Sequence, residues 1–237
     1  MKIILGVLAN DEGGYSHMIQ AARDTCYETI PDFAEVFYLY GHRNNISIPH
    51  NSYVIDNDCF YYDYPEHRSF LLHKTIAFFE YCLNNKDFDY IFRPNCGSYI
   101  HLELLHKFIT NNVSNERVYL GIRGFVDNIN YASGSGFLIS KDVVELLVRH
   151  KECLEYDGNV FVDDMSIGRL LTEHNGLQLD FEKLSVTPGA LRENVRLSDI
   201  IKNDFKLNTE CYHYYFCHTI DPRCFYVVHD RFKKCTY

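Results

Sequence analysis

The sequence predicts a single α/β domain built on a largely parallel sheet. Three observations support this: short apolar runs alternate with segments of helical periodicity, each junction carries turn residues, and no linker, low-complexity tract or internal repeat interrupts the 237 residues. At 46% hydrophobic and 15% aromatic residues, the chain can bury one core and one deep pocket.

The elements follow in order. The apolar run 3–8 has the character of a buried first strand and ends in the turn cluster 10–14, after which Met18, Ile19, Ala22 and Cys26 recur at helical spacing. Residues 36–40 form a second buried-type strand closed by Gly41, and 53–55 and 60–62 are shorter strands around Asp56-Asn57-Asp58. A long helix is expected over 68–84, with Phe70, Leu71, Ile76, Phe79, Tyr81 and Cys82 on its apolar side. Strand 89–93 then runs into the loop Pro94-Asn95-Cys96-Gly97-Ser98, followed by a helix over 102–109. Residues 118–122 and 136–139 are further strands, with helices over 143–148 and 166–171. The segment from Cys211 to Cys224 admits two readings, a buried strand or a zinc site. Its cysteines and histidines lack the tight paired spacing that zinc sites show.

Composition excludes several classes. A net charge of -9 and a pI near 5.7 leave no broad cationic surface for nucleic acid. No apolar run approaches the roughly 20 residues that cross a bilayer, and the first apolar run is too short for a signal peptide. Nine cysteines without paired spacing suit reduced thiols, so a cytoplasmic protein is expected.

In an alternating sheet of this kind, ligands gather where loops leave the carboxyl ends of strands. Residues 93–98 and 132–136 are two such loops, each with a glycine that lets backbone approach a ligand. The adjacent carboxylates Asp163 and Asp164 open the helical run that ends near Arg169. A carboxylate there can take a proton from an attacking hydroxyl, and it can equally be a helix cap.

The order of these pieces resembles the β-1,3-galactosyltransferase and Fringe-like glycosyltransferases, over most of the chain. Residues 18–26 (MIQAARDTC) are similar to that family's Ile-Arg-x-Thr-Trp helix, and 71–75 (LLHKT) to its Leu-Thr-Leu-Lys-Thr helix. Residues 132–140 (ASGSGFLIS) resemble its small-Gly-Gly-Tyr-Val-Leu-Ser segment, and 162–168 (VDDMSIG) its acidic Asp-Val-x-x-Gly motif. The resemblance implies one GT-A-like domain over residues 1–237, with a Rossmann-related sheet flanked by helices. It also implies an inverting transferase that moves a sugar from a nucleotide-sugar donor, UDP by resemblance, to a hydroxyl on a glycan or protein-linked acceptor. Asp164 would then be the base, with Asp163 orienting the acceptor or capping the helix. Ser133, Gly134, Ser135 and Gly136 would lie against donor sugar or acceptor, and Ala9, Asn10 and Asp11 beside the nucleotide.

One motif departs from the pattern. The family's Lys-x-Asp-Asp-Asp-x-Phe, which holds manganese against the diphosphate, falls on Arg93 to Tyr99, where every aspartate is missing. Asn95 offers only a carbonyl oxygen. Smaller bacterial and viral relatives are similar in carrying Arg-x-Asn-x-Ser-Ser there, which implies a bacterial or viral source and puts metal dependence in doubt. Arg23, Lys74 and Arg93 are the candidate cations for the departing diphosphate. His213 is the counterpart of a C-terminal histidine that in such folds touches metal or diphosphate, with Tyr215 where arginine would stand. Asp56-Asn57-Asp58 has Asp-x-Asp spacing but also suits a turn. Two further readings remain: a protein that binds a glycan or nucleotide sugar without turnover, and a glycosidase pairing Glu66 or Asp63 with Asp164.

Overall fold

The computed structural model describes residues 1–42, 46–126, 128–156, 162–187, 192–202, 205–216 and 220–235. Among these, ten strands and seven α-helices alternate as expected through most of the chain. The main sheet has seven strands in the order β3-β4-β2-β1-β5-β8-β7. Its middle is parallel: β1 (Ile3–Leu8) lies between β2 (Ala34–Tyr40) and β5 (Tyr90–Pro94), and β2 pairs with β4 (Cys59–Tyr62). The flanks are antiparallel, with β3 (Tyr53–Asp56) on β4, and β8 (Ile129–Ser140) between β5 and β7 (Tyr119–Val126).

Every residue of β1 is buried, which explains its unbroken apolar run: a central parallel strand is covered on both faces. Ile3, Leu5 and Val7 pack into one core with α1 (Tyr15–Arg23) and α7 (Arg223–Cys235). Ile4 and Leu8 pack into the other with α2 (Leu71–Asn85), α4 (Lys141–Arg149) and α5 (Asp163–Glu173). Gly6 clears the way for α2, since a Cβ there would stand 2.6 Å from the Phe78 ring.

Several boundaries differ from the sequence expectation. Residues 132–136 belong to β8 rather than to a free loop, because β5 pairs with the strand from Gly136 onward and β7 with its first half. The β7–β8 register breaks here, Gly121 facing Phe137 and Arg123 facing Ala132, so 133–136 leave the β7 ladder. Helix α5 starts at Asp163, three residues before the expected 166, with Val162 at its N-cap. In the second sheet, β6 (Ser98–Ile100), β10 (His213–Tyr215) and β9 (Arg192–Asn194), only β10 answers an expectation, the buried-strand reading of the 211–224 segment; β6, β9, α6 (Leu197–Ile201) and α7 were not expected. The strands of this sheet are three residues long and paired over long sequence separations, which local periodicity does not register. Helix α3 (Leu102–Asn112) follows β6 and buries Leu102, Leu105 and Ile109.

No described helix is long and apolar enough to cross a membrane. The eight described cysteines are free.

Candidate functional site

The chain leaves β1 toward β2 on one side, and β5 returns on the other, so strand order reverses between the carboxyl ends of β1 and β5. A bridge between Leu8 and Asn95 joins those ends. Above it opens a cleft of about 540 Å³, lined at the base by Leu8, Ala9, Asn10, Asn95, Cys96 and Gly97. This is where doubly wound sheets hold ligands. Of the residues expected from the sequence to contact donor or nucleotide, Ala9, Asn10 and Asn95 line this cleft, whereas Asp11 is exposed and outside the lining.

Neither member of the acidic pair, nor any of residues 133–136, is among the cleft-lining residues; the pair opens α5 and reaches the cleft through its neighbours. Asp163 is 2% exposed; its Oδ2 accepts from Thr75 Oγ1 at 3.0 Å and from Arg93 Nη2. Asp164 is 8% exposed; its Oδ2 accepts from Gly134 N at 2.6 Å and its Oδ1 from Met165 N at 2.9 Å. Neither carboxylate makes an N-cap hydrogen bond, because Val162 occupies the cap. Burial, and then the neighbouring Asp163 charge, push the Asp164 carboxyl up to about 6, against the opposing pull of Arg93. The detached segment 133–136 links the pair to the cleft: Gly134 donates to Asp164, and Ser135 O accepts from Asn95 N at 3.4 Å. Ser135 O also accepts from Ser98 Oγ at 2.8 Å, and Ser135 Oγ from Arg192.

Glycine positions α5. A Cβ on Gly168 would stand 2.7 Å from Tyr131 Cα and 2.8 Å from Asn130 O, so the helix rests directly on the β8 backbone.

The three expected diphosphate cations all have other partners. Arg93 is 1% exposed, donates from Nη1 to Gly134 O at 2.7 Å, and lies over the Phe137 ring at 4.7 Å. Its place is inside the fold, behind the acidic pair. Lys74 is buried, with Nζ 2.7 Å from Glu66 Oε1 and 3.3 Å from Ala9 O, and burial pulls its ammonium below the ordinary range. Arg23 pairs with Asp58 at 2.8 Å and stacks on Tyr38 at 4.2 Å, away from the cleft lining. Arg68, in the turn before α2, does line the cleft; its guanidinium has no ion pair or hydrogen bond among the described residues, although its carbonyl accepts from Leu71 N. Sequence analysis passed over it as the start of a helix.

The residues at the missing metal motif do not make a set for a hard divalent cation. Asn95 Oδ1 already accepts from Gly97 N at 3.0 Å and Ser98 Oγ at 3.2 Å, forming the turn itself. His213 is fully buried, its Nε2 3.0 Å from Ser98 Oγ and its ring edge-on to Phe92. Burial, assisted by Arg192, lowers its imidazole to about 3, and Nδ1 has no hydrogen-bond partner among the described residues. Ser98 Oγ lies within hydrogen-bond distance of Ser135 O, Asn95 Oδ1 and His213 Nε2, and its single proton serves one of them at a time. His213 supports the turn from below and is not among the cleft-lining residues.

The other candidates take structural places. Asp56-Asn57-Asp58 is the β3–β4 turn, with Asn57 at φ 54°. Glu66 differs in that it lines the cleft, held there by Lys74 and the Gly41 N–H, whereas Asp63 lies outside the lining, 3.1 Å from His50. Cys211 and Cys224 are buried and join no metal-ligand grouping among the described residues, while Cys217 and His218 lie outside those residues.

No family model matches the chain, and no curated protein matches it. Solved structures do. A glycosyltransferase involved in the glycosylation of the major capsid of PBCV-1 superposes with a TM-score of 0.53 at 7% identity, over 98% of this chain and 100% of that one. The chain shares the fold of that glycosyltransferase. The galactosyltransferase LgtC, solved with donor and acceptor sugar analogs, gives a TM-score of 0.45 at 10% identity, over 98% of this chain and 96% of that one. The GT-A-like architecture expected from the sequence is thus present, as a single α/β domain with a mixed, centrally parallel sheet.

Proposed function

We propose that this chain is a glycosyltransferase that moves a sugar, with inversion, from a nucleotide-sugar donor to a hydroxyl on a glycan or glycoprotein acceptor. The observation that carries the reading is the position of the cleft. It opens at the switch point between β1 and β5 of a fold shared with a glycosyltransferase, and the 133–136 segment connects the Asn95 turn at its base to Asp164.

In this reading the nucleotide, UDP as the first choice, lies against Ala9, Asn10 and the Asn95 turn, with the sugar toward Gly134 and Gly136. The acceptor oxygen attacks the anomeric carbon as the bond to the diphosphate breaks, and the acceptor proton passes to Asp164. A carboxylate titrating at about 6 is ionised at neutral pH yet basic enough to accept that proton. Asp163 and Arg93 act as positioning residues. The leaving diphosphate gains charge, and Arg68 on the cleft wall supplies a guanidinium whose planar fork suits phosphate oxygens.

A second reading, binding of a glycan or nucleotide sugar without turnover, is favoured by one observation. Both oxygens of Asp164 already accept backbone N–H groups, as a purely structural carboxylate would.

A thermal-shift screen against UDP, GDP, CMP and their sugars, each with manganese and with EDTA, tests the reading, because a ligand at a hundred times its Kd adds roughly 2.7 kcal/mol. Stabilisation by one nucleotide, followed by release of that nucleotide from its sugar on incubation, supports transfer. Stabilisation without turnover supports the binding reading, and no shift with any nucleotide overturns transfer and leaves glycan binding as the reading.

A further inference from the structure

Helix α4 ends at Arg149, and the chain turns through a short 3-10 segment, Lys151–Cys153. On that turn His150, Glu152 and Cys153 each bring a ligand atom into one small volume, all within 4.8 Å of one another. Among the described residues this is the grouping of such side chains that converges, and none of the three lines the cleft. Imidazole nitrogen, thiolate sulfur and carboxylate oxygen are the donors that zinc accepts.

The histidine is also set as a ligand. Its Nε2 lies 2.8 Å from Asp180 Oδ1, and Nδ1 makes no hydrogen bond among the described residues. Metal-bound histidines are oriented in this way, one ring nitrogen donating to a carboxylate and the other turned to the ion. Cys153 Sγ stands 3.8 Å from Glu152 Oε1, so a thiol and a carboxylate meet at one point. The adjacent positive side chains are engaged elsewhere: Lys151 pairs with Glu80, and Arg149 lies 3.6 Å from Asp180. The backbone beneath is fixed, since Cys153 N donates to His150 O at 2.9 Å and Asn175 Nδ2 donates to Cys153 O at 2.7 Å.

We propose that His150 Nδ1, Glu152 and Cys153 Sγ bind a zinc ion, with Asp180 orienting the imidazole. Neighbouring ligand atoms on a tetrahedral zinc stand roughly 3.3 to 3.8 Å apart, so the three draw together by about an ångström, within reach of the exposed Glu152 side chain. On binding, the Cys153 thiol gives its proton to solvent, and a water completes the fourth position. The ion would fasten the end of α4 to the segment carrying Asp180. The site is independent of sugar transfer, and either proposal can fail without the other.

The test is a zinc titration of the metal-stripped chain in competition with a chromophoric chelator, repeated with Cys153→Ser, His150→Gln and Asp180→Asn, and with Cys235→Ser as an exposed-thiol control. Cobalt substitution reports the thiolate through its charge-transfer band. The expected result is a single tight site per chain, weakened more than about tenfold by Cys153→Ser and His150→Gln and about tenfold by Asp180→Asn, but unaffected by Cys235→Ser. Absence of a site that competes with the chelator overturns the proposal. So does zinc binding that Cys153→Ser leaves unchanged, or a cobalt spectrum without the thiolate band.

Discussion

The Arg93 guanidinium, buried at the end of β5, closes on the Asp163 carboxylate in the first turn of α5, and the same guanidinium holds the carbonyl of Gly134. One side chain thus fixes the acidic pair and the segment that faces it. Removing it leaves Asp163 buried without a counter-charge. Arg93→Met is expected to lower unfolding free energy by about 3–5 kcal/mol, read from the denaturant midpoint. Arg93→Met with Asp163→Asn should recover a large part of the loss; a double variant no more stable than Arg93→Met alone would count against the pairing.

Asp164→Asn keeps the shape and the acceptor oxygen for Gly134 N but removes the base. Transfer is expected to collapse while nucleotide binding persists, measured by turnover beside the thermal shift. An acid limb near pH 6 in the rate of the unmodified chain should accompany this, because the carboxyl must be ionised to accept a proton. Unchanged turnover in the variant would remove Asp164 from the chemistry.

The same carboxyl sets a stability slope. Its pKa rises on folding from 3.8 to about 6, so between those values the folded chain binds the proton more tightly and stability falls as pH rises. His213 acts in the opposite sense: lowered from 6.5 to about 3, it favours the unfolded chain as pH falls through that window. The two offset each other between about pH 4 and 6. Asp164→Asn should therefore steepen acid destabilisation in that window, as seen in melting temperature against pH.

Among the cations considered for diphosphate binding, Arg68 is the one on the cleft wall with no carboxylate partner among the described residues. Arg68→Gln is expected to weaken nucleoside diphosphate binding at least tenfold in calorimetry and leave the melting temperature near that of the unmodified chain. Lys74→Gln should do the reverse, lowering stability by leaving Glu66 unpaired.

Gly168 carries α5 on β8. Gly168→Ala is expected to cost about 1–3 kcal/mol, because the new methyl meets Tyr131 and Asn130 main-chain atoms that cannot turn aside. A denaturant melt within error of the unmodified chain would show that the helix rides higher than described.

What the sequence determined by itself is local. The buried run of β1, the helical face of α2 and the acidic pair of α5 are visible because burial on both faces, or on one stripe, imposes a period on neighbouring residues. The loops after β1 and β5 were visible as turn residues at strand ends, and Asn10 and Asn95 on them line the cleft. Tertiary structure alone decided which charges meet. Arg23, Lys74 and Arg93 look like free cations in a sequence, yet each is neutralised by a carboxylate at least eight residues distant, Asp58, Glu66 and Asp163. His213 became a buried support because β10 pairs with β6, more than a hundred residues earlier. Periodicity records which face of an element is covered and not what covers it; partner choice depends on contacts closed across long loops, and those set the site.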